Sequence, residues 1–220
     1  MDTTTETPAE ITADLIGAIE AAWSAIRERH ADVPAVVFSL GAGSGDRDSL
    51  KLGHFAASRW QVEGEANARA EIFVGGEGLQ RGEEGILTTL LHEAAHALAH
   101  LRGIQETSNE GRYHNKRFAA LAKEVGLTVS QDGKIGWSVS RLGAGTVEAY
   151  TEALQRLTAA LLAWRHAEPA RGKSTKRDRN PKAALCECET PRRIRVMPNA
   201  LDDGPILCGV CGEEFTFREE

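Results

Sequence analysis

His92-Glu93-Ala94-Ala95-His96 fits the pattern H-E-x-x-H. On a helix, two histidines four residues apart stand one above the other and can grip a single ion. Glu93, beside the first of them, can reach a water on that ion. A zinc ion would lower the pKa of the water towards neutrality. The carboxylate would then take its proton for attack on a carbonyl. An exposed helix face with ordinary histidines can carry the same letters by chance, but here the pattern lies inside an apolar, periodic stretch.

A catalytic zinc needs a third protein ligand and one open position. His100 continues the same face but lies about 12 Å further along the axis, too far to share an ion with His92. His114 is the stronger candidate. It opens a predicted helix whose inward face also carries Phe118, Ala122 and Val125, and the short connection permits an antiparallel return onto the His92 helix. Glu110, in the polar stretch Glu106 to Gly111, is the competing ligand. His30 and His54 are expected to be structural or exposed.

The second cluster is at the other end of the chain. Cys186, Cys188, Cys208 and Cys211 all fall in the last 35 residues. Close pairs at one end of a chain suit a closed zinc site better than a disulfide scaffold, which spreads its cysteines. About 35 residues with so few apolar side chains need such a staple to fold. The first knuckle is C-x-C, one residue shorter than the usual C-x2-C of a zinc ribbon.

These side chains need elements to position them. Thr7-Pro8-Ala9-Glu10 carries helix-start signals, and Ile11, Leu15, Ile19, Trp23 and Ile26 follow at helical spacing. Strands are expected at Val36–Leu40, His54–Val62 and Glu71–Val74. Helices are expected over Glu83–Leu101, Tyr113–Val125 and 146–166, with a Gly-rich turn and Trp137 between Ser130 and Ser140. Trp60 and Trp137 are expected in the core, and Phe215 and Phe217 in the core of the cysteine module. The order of helix, strands, then helices predicts an α+β fold. Residues 1–166 form the main domain, 167–184 a basic linker and 185–220 the cysteine module.

The chain has 220 residues, of which 41% are apolar and 26% charged, so a packed core is expected. No apolar run reaches the length of a membrane helix, and the acidic, polar N-terminus is not a secretory signal. A soluble cytoplasmic protein with no membrane partner is expected. Arg outnumbers Lys 19 to 7, which fits a GC-rich bacterial or phage genome. The net charge of −6 argues against a protein that is basic all over. Yet residues 165–195 carry 10 Lys/Arg against 4 Asp/Glu. Arg171, Lys173, Lys176, Arg177, Arg179 and Lys182, with Arg192, Arg193 and Arg195 between the knuckles, are candidate contacts to nucleic-acid phosphates. The plainer reading is a solvated linker, and few aromatic residues accompany these charges.

Leu90 to Ala97, then Gly103-Ile104-Gln105-Glu106-Thr107-Ser108 and Tyr113-His114-Asn115-Lys116-Arg117-Phe118, resemble the SprT-like metallopeptidase family. Glu71-Ile72-Phe73-Val74 and Gly126-Leu127 are similar to flanking parts of that family. The resemblance spans roughly residues 10–165 and is close over 85–127. It implies a zincin-like core, with His92, His96 and His114 on a catalytic zinc and Glu93 as the base. Ile206 to Gly212 looks like the second half of the zinc ribbon in which such proteins often end, implying a structural zinc on the four cysteines. Family members include proteases that degrade proteins crosslinked to DNA. Tyr113 is a candidate donor to the developing oxyanion, with packing beside the ligand as its alternative.

The leading expectation is therefore a zinc endopeptidase acting on protein substrates on or near DNA. A non-proteolytic zinc module that regulates by binding DNA or protein is the second reading. A DNA-independent zinc peptidase is the third.

Overall fold

The computed structural model describes residues 10–43, 50–167 and 180–217. The chain divides into two compact units, Met1–Pro169 and Ala170–Glu220. Both helices and small sheets are present, so the fold is α+β.

In the first unit, α1 (Ile11–Arg29) buries Leu15, Ala18, Ile19, Ala22, Trp23 and Ile26 along one stripe. Ile11 is exposed, because the stripe starts one turn later. The proposed cap residues Thr7 and Pro8 lie outside the described residues, and Glu10 makes no side-chain cap. A three-stranded sheet follows from β1 (Val36–Gly41), β2 (Gly53–Trp60) and β3 (Arg69–Gly75). The central strand, β3, runs parallel to β1 and antiparallel to β2. Its alternate residues Ile72 and Val74 enter the core.

The helix that carries H-E-x-x-H is α2 (Gly82–Leu101). It is apolar on most of its circumference: Leu87, Leu90, Leu91, Ala94, Ala95, Ala97, Leu98 and Ala99 are all fully buried. A helix apolar all round belongs in the middle of a domain. Accordingly α2 packs against α1, the three-stranded sheet and the elements that follow it. Its alanines let those neighbours approach closely.

The expected helix over Tyr113–Val125 is shorter than the pattern suggests. Tyr113 and His114 form a two-residue strand, β5, which pairs with β4 (Thr107–Ser108). Only α3 (Lys116–Glu124) is helical. Asn115 is the reason: its Oδ1 accepts hydrogen bonds from the backbone N–H groups of Arg117 and Phe118 at 2.7 and 3.4 Å, which caps the helix there. Residues 130–140 belong to a hairpin of β6 (Leu127–Asp132) and β7 (Gly136–Leu142). The second sheet has the order β4-β5-β7-β6.

The expected helix over 146–166 is split into α4 (Thr146–Ala149) and α5 (Thr151–Ala160), with the break at Tyr150. Tyr150, Leu154 and Leu157 are buried, while Val147 and Trp164 are exposed. Trp60 is also exposed rather than in the core. It ends β2, where its indole N–H donates to Glu71 at 2.8 Å. Trp137 packs half-buried against the core.

The second unit is a small sheet of β8 (Lys182–Leu185), β9 (Arg193–Val196) and β10 (Thr216–Phe217), in the order β10-β8-β9. Strand β8 begins inside the segment read as linker. Lys182-Ala183-Ala184 carries no strand signal of its own, and pairing with β9 supplies it. Ala184, Cys186, Cys208 and Phe215 form the buried centre, and Phe217 packs against it.

Gly53 is where β2 meets α2. A Cβ there would stand 2.6 Å from Thr89 Cγ2 and 3.1 Å from Glu93 Oε1. Gly53→Ala should therefore lever the strand off the helix and cost about 1–3 kcal/mol. All four tryptophans lie in the first unit, so the loss is read as a lower Tm by tryptophan fluorescence. An unchanged Tm would mean that β2 is not seated on α2.

Candidate metal centres

His92 and His96 face the same way from α2, one turn apart, and β5 brings His114 to them. The three imidazole centroids form a nearly equilateral triangle with sides of 5.1, 5.1 and 5.0 Å. The ring of Phe118, from the first turn of α3, lies 4.6, 4.8 and 4.5 Å from these three rings. Phe118 is fully buried. It closes one side of the cluster with hydrocarbon.

Each ring is oriented through its Nδ1. His92 Nδ1–H donates to Ser140 Oγ at 3.1 Å, and that hydroxyl donates onward to the Ser138 carbonyl. His96 Nδ1–H donates to Glu106 Oε1 at 3.0 Å. His114 Nδ1–H donates to the Ile135 carbonyl at 3.3 Å. With the three protons placed there, each Nε2 presents a lone pair. The Nε2 atoms of His96 and His114 are 3.1 Å apart. Two lone pairs at that distance repel unless a cation lies between them. Nitrogens bound at about 2.0–2.1 Å in a tetrahedron stand about 3.3 Å apart. The three histidines are thus positioned to hold a metal ion.

The backbone around His114 is tightly specified. Its N–H donates to the Ile135 carbonyl at 3.0 Å. It pairs with Gly136, whose φ is +72° and where a Cβ would stand 2.1 Å from the His114 carbonyl oxygen. Only glycine fits. Asn115 ties the other side. Its N–H donates to the Glu106 carbonyl, and its side-chain amide donates to the Gln105 carbonyl, both at 2.9 Å. Sequence reasoning reached His92, His96 and His114 but missed Glu106, Ser140 and Asn115 as their supports. The cap signal at Asn115 was readable. The carboxylate and hydroxyl had no signal beyond the rule that metal-binding histidines need a second partner.

Charge follows burial. His92 is held well below the ordinary histidine range by burial, with His96 and His114 adding to it. Burial, then His96, pulls His114 down to about 4. Both rings are neutral at pH 7, as a ligand must be. Burial, the largest single influence, pushes Glu106 up, but the hydrogen bond to His96, a backbone hydrogen bond and the charges of His96 and His114 together make the net shift downward. Glu93 is buried next to the cluster, outside the set of converging atoms. Burial raises its pKa, against the opposing effects of His96, the backbone hydrogen bond at Phe55, and Lys51.

The other candidates lie elsewhere. Glu110 is exposed and pairs with Arg112, in a turn with φ of +56°. His100 is exposed at the end of α2, 5.8 Å from the Phe55 ring. His54 stacks on Phe73 and His30 ends α1. Tyr113 adjoins His114 in β5, and neighbouring strand residues face opposite ways. Its hydroxyl accepts a hydrogen bond from Gln131 at 3.2 Å.

In the second unit the four cysteine sulfurs lie within 4.8 Å of one another, and none is in a disulfide. Cys188 and Cys208 Sγ are 3.8 Å apart. Sulfurs held tetrahedrally at about 2.3 Å are separated by about 3.8 Å. The short first knuckle lies just past the end of β8, and the chain bends at Cys188. The backbone N–H groups of Cys211 and Val210 pull the Cys208 thiol down to about 6. Sharing hydrogen bonds with Cys186 and Cys211 pushes Cys188 up to about 12. Four crowded thiols cannot all ionise without a cation among them.

Of the candidate nucleic-acid contacts, Arg171, Lys173, Lys176, Arg177 and Arg179 lie outside the described residues. Lys182, Arg192, Arg193 and Arg195 are exposed. Arg193 and Arg195 share the face of β9 opposite Ile194 and Val196, which pack in the core. Arg192 instead contacts the cysteine cluster.

No family model, curated protein or solved structure matches the chain. No helix among the described residues is long and apolar enough to cross a membrane.

Two outcomes test the histidine centre. Glu106→Gln should weaken metal affinity at that centre by about 10–100-fold, measured by competition with a chromophoric chelator. In metal-stripped protein, unfolding frees His114 to bind a proton near its ordinary pKa of 6.5, whereas the folded form binds it near 4. The unfolded chain thus holds more protons in that window, so stability falls as pH drops from 6.5 towards 4. His114→Gln should flatten the corresponding Tm profile.

Proposed function

We propose that the first unit is a zinc-dependent endopeptidase with a zincin-like core of the SprT-like kind. In this reading the second unit is a zinc ribbon that keeps the enzyme near nucleic acid. One observation carries the proposal. One ring nitrogen from each of His92, His96 and His114 lies within 4.8 Å of the other two, while a buried carboxylate, Glu93, stands beside them without joining the ligand set. A structural site uses four protein ligands and has no need of a neighbouring base.

When bound, zinc supplies a Lewis acid that polarises a peptide carbonyl and acidifies water. The chain does the rest. Ser140, Glu106 and the Ile135 carbonyl hold the three rings in the ligating tautomer. Phe118 keeps water from one side, so the reaction belongs on the other. The Glu93 carboxylate accepts the proton of the attacking water and returns it to the leaving amine. Burial makes Glu93 a stronger base than an exposed carboxylate, closer to the working pH. The hydrogen bond at Phe55 holds the carboxylate against β2. Tyr113, which is turned towards Gln131, has no part in this scheme.

The DNA link rests on the basic segment and on the exposed face of Arg193 and Arg195. Neither side chain is needed for the ribbon core. Effective concentration on a strand would then supply much of the selectivity.

The test is cleavage of a basic DNA-binding protein, and of the enzyme itself, without DNA, with single-stranded DNA and with duplex. Glu93→Gln should lower cleavage at least about 100-fold while leaving metal content unchanged. Cleavage that requires DNA supports the full proposal. Cleavage indifferent to DNA retains the peptidase and removes the nucleic-acid role. No cleavage by fully zinc-loaded protein favours the non-proteolytic binding module.

A further inference from the structure

Arg192 touches the cysteine cluster twice. Its backbone N–H donates to Cys186 Sγ at 3.2 Å, and its guanidinium Nη1 donates to Cys208 Sγ at 3.8 Å. The Cys186 N–H in turn donates to the Arg192 carbonyl at 3.2 Å. The residue therefore closes the first knuckle with its main chain and reaches the second with its side chain.

The surroundings make that reach consequential. Four thiolates around a divalent ion leave two uncompensated negative charges. The exposed Glu187 and Glu189 flank Cys188, and Glu213 and Glu214 follow Cys211, so the local field adds to the excess. A guanidinium against a cluster sulfur offsets part of it through a charge-assisted hydrogen bond. Arg193 and Arg195, next in sequence, lie on an exposed strand face. Three neighbouring arginines thus have two different tasks.

We propose that Arg192 is a positioning residue of the four-cysteine centre, holding the Cys208 sulfur on the metal by a charge-assisted hydrogen bond, and not a contact to nucleic acid. The proposal rests on the reading of this centre as a zinc site. Its guanidinium slows metal loss and shields Cys208 from electrophiles. Phosphate binding falls to Arg193, Arg195 and the basic segment.

Substitution of the side chain leaves the backbone bonds to Cys186 intact, so it isolates the guanidinium. The full chain is loaded with two zinc ions, and release to a chromophoric chelator is followed in wild type, Arg192→Gln and Arg192→Lys. Cys208→Ser identifies the phase that belongs to the ribbon. The Gln variant should release that ion about 10-fold faster, and Lys, which keeps the charge, should recover most of the loss. Alkylation by iodoacetamide, mapped by mass spectrometry, should rise at Cys208 more than at Cys188 or Cys211. A merely loosened fold would raise all of them together. Binding to a single-stranded oligonucleotide should be unchanged in Arg192→Gln and weakened in an Arg193→Gln/Arg195→Gln double variant.

Release from Arg192→Gln at the wild-type rate would overturn the inference and leave the zinc ribbon standing. A uniform rise in alkylation, or a loss of oligonucleotide binding in Arg192→Gln, would also overturn it. Wild-type protein that carries one ion, unaffected by Cys208→Ser, would remove the zinc reading and this inference with it.

Discussion

Three imidazole lone pairs directed at one point constrain the first unit more than any other feature. Such an arrangement is unfavourable without a cation, and it holds only because every ring has its other nitrogen committed elsewhere. The commitments come from three separate places: a hydroxyl on β7, a carboxylate in the loop after α2, and a carbonyl in the β6–β7 turn. The fold around α2 is therefore arranged to aim rings as well as to bury apolar surface. The close contact between Gly136 and His114 is one consequence, and the double tie at Asn115 is another.

The same helix serves both purposes. Leu87, Leu90, Leu91, Ala94, Ala95 and Leu98 hold α2 in the centre of the core. The polar exceptions on it are few and each has a direction. His92 and His96 look out towards β5 and α3, and Glu93 looks towards β2. β2 packs on α2 at Glu93, while β5 and α3 bring His114 and Phe118 to the histidine pair.

The second unit works by a different balance. Its apolar centre is small, and two of its buried groups are themselves cysteines. Packing alone contributes little there, so sulfur geometry and local charge decide the structure. Knuckle N–H groups lower one thiol, crowding raises another, and an arginine leans on the cluster. Charge on this unit is thus divided between holding the centre together and facing solvent.

Much of this was legible in the chain itself. The spacing of His92 and His96, the adjacent Glu93 and the four cysteines determine which groups can meet, because helical and extended periodicities are local properties. The apolar stripe of α1 and the all-round apolar α2 follow from the same periodicities. His114 was legible as a candidate, but its setting was not. A helix pattern runs through it, and only the cap at Asn115 and pairing with Gly136 move it onto a strand. Glu106 and Glu110 look alike in one polar stretch, yet one is half-buried against His96 and the other faces solvent. Arg192, Arg193 and Arg195 likewise read as one basic run until strand pairing separates them. Residue type and local spacing fixed the available chemistry. Only tertiary contacts, made between segments far apart in the chain, decided which carboxylate supports a ring and which arginine leans on a sulfur.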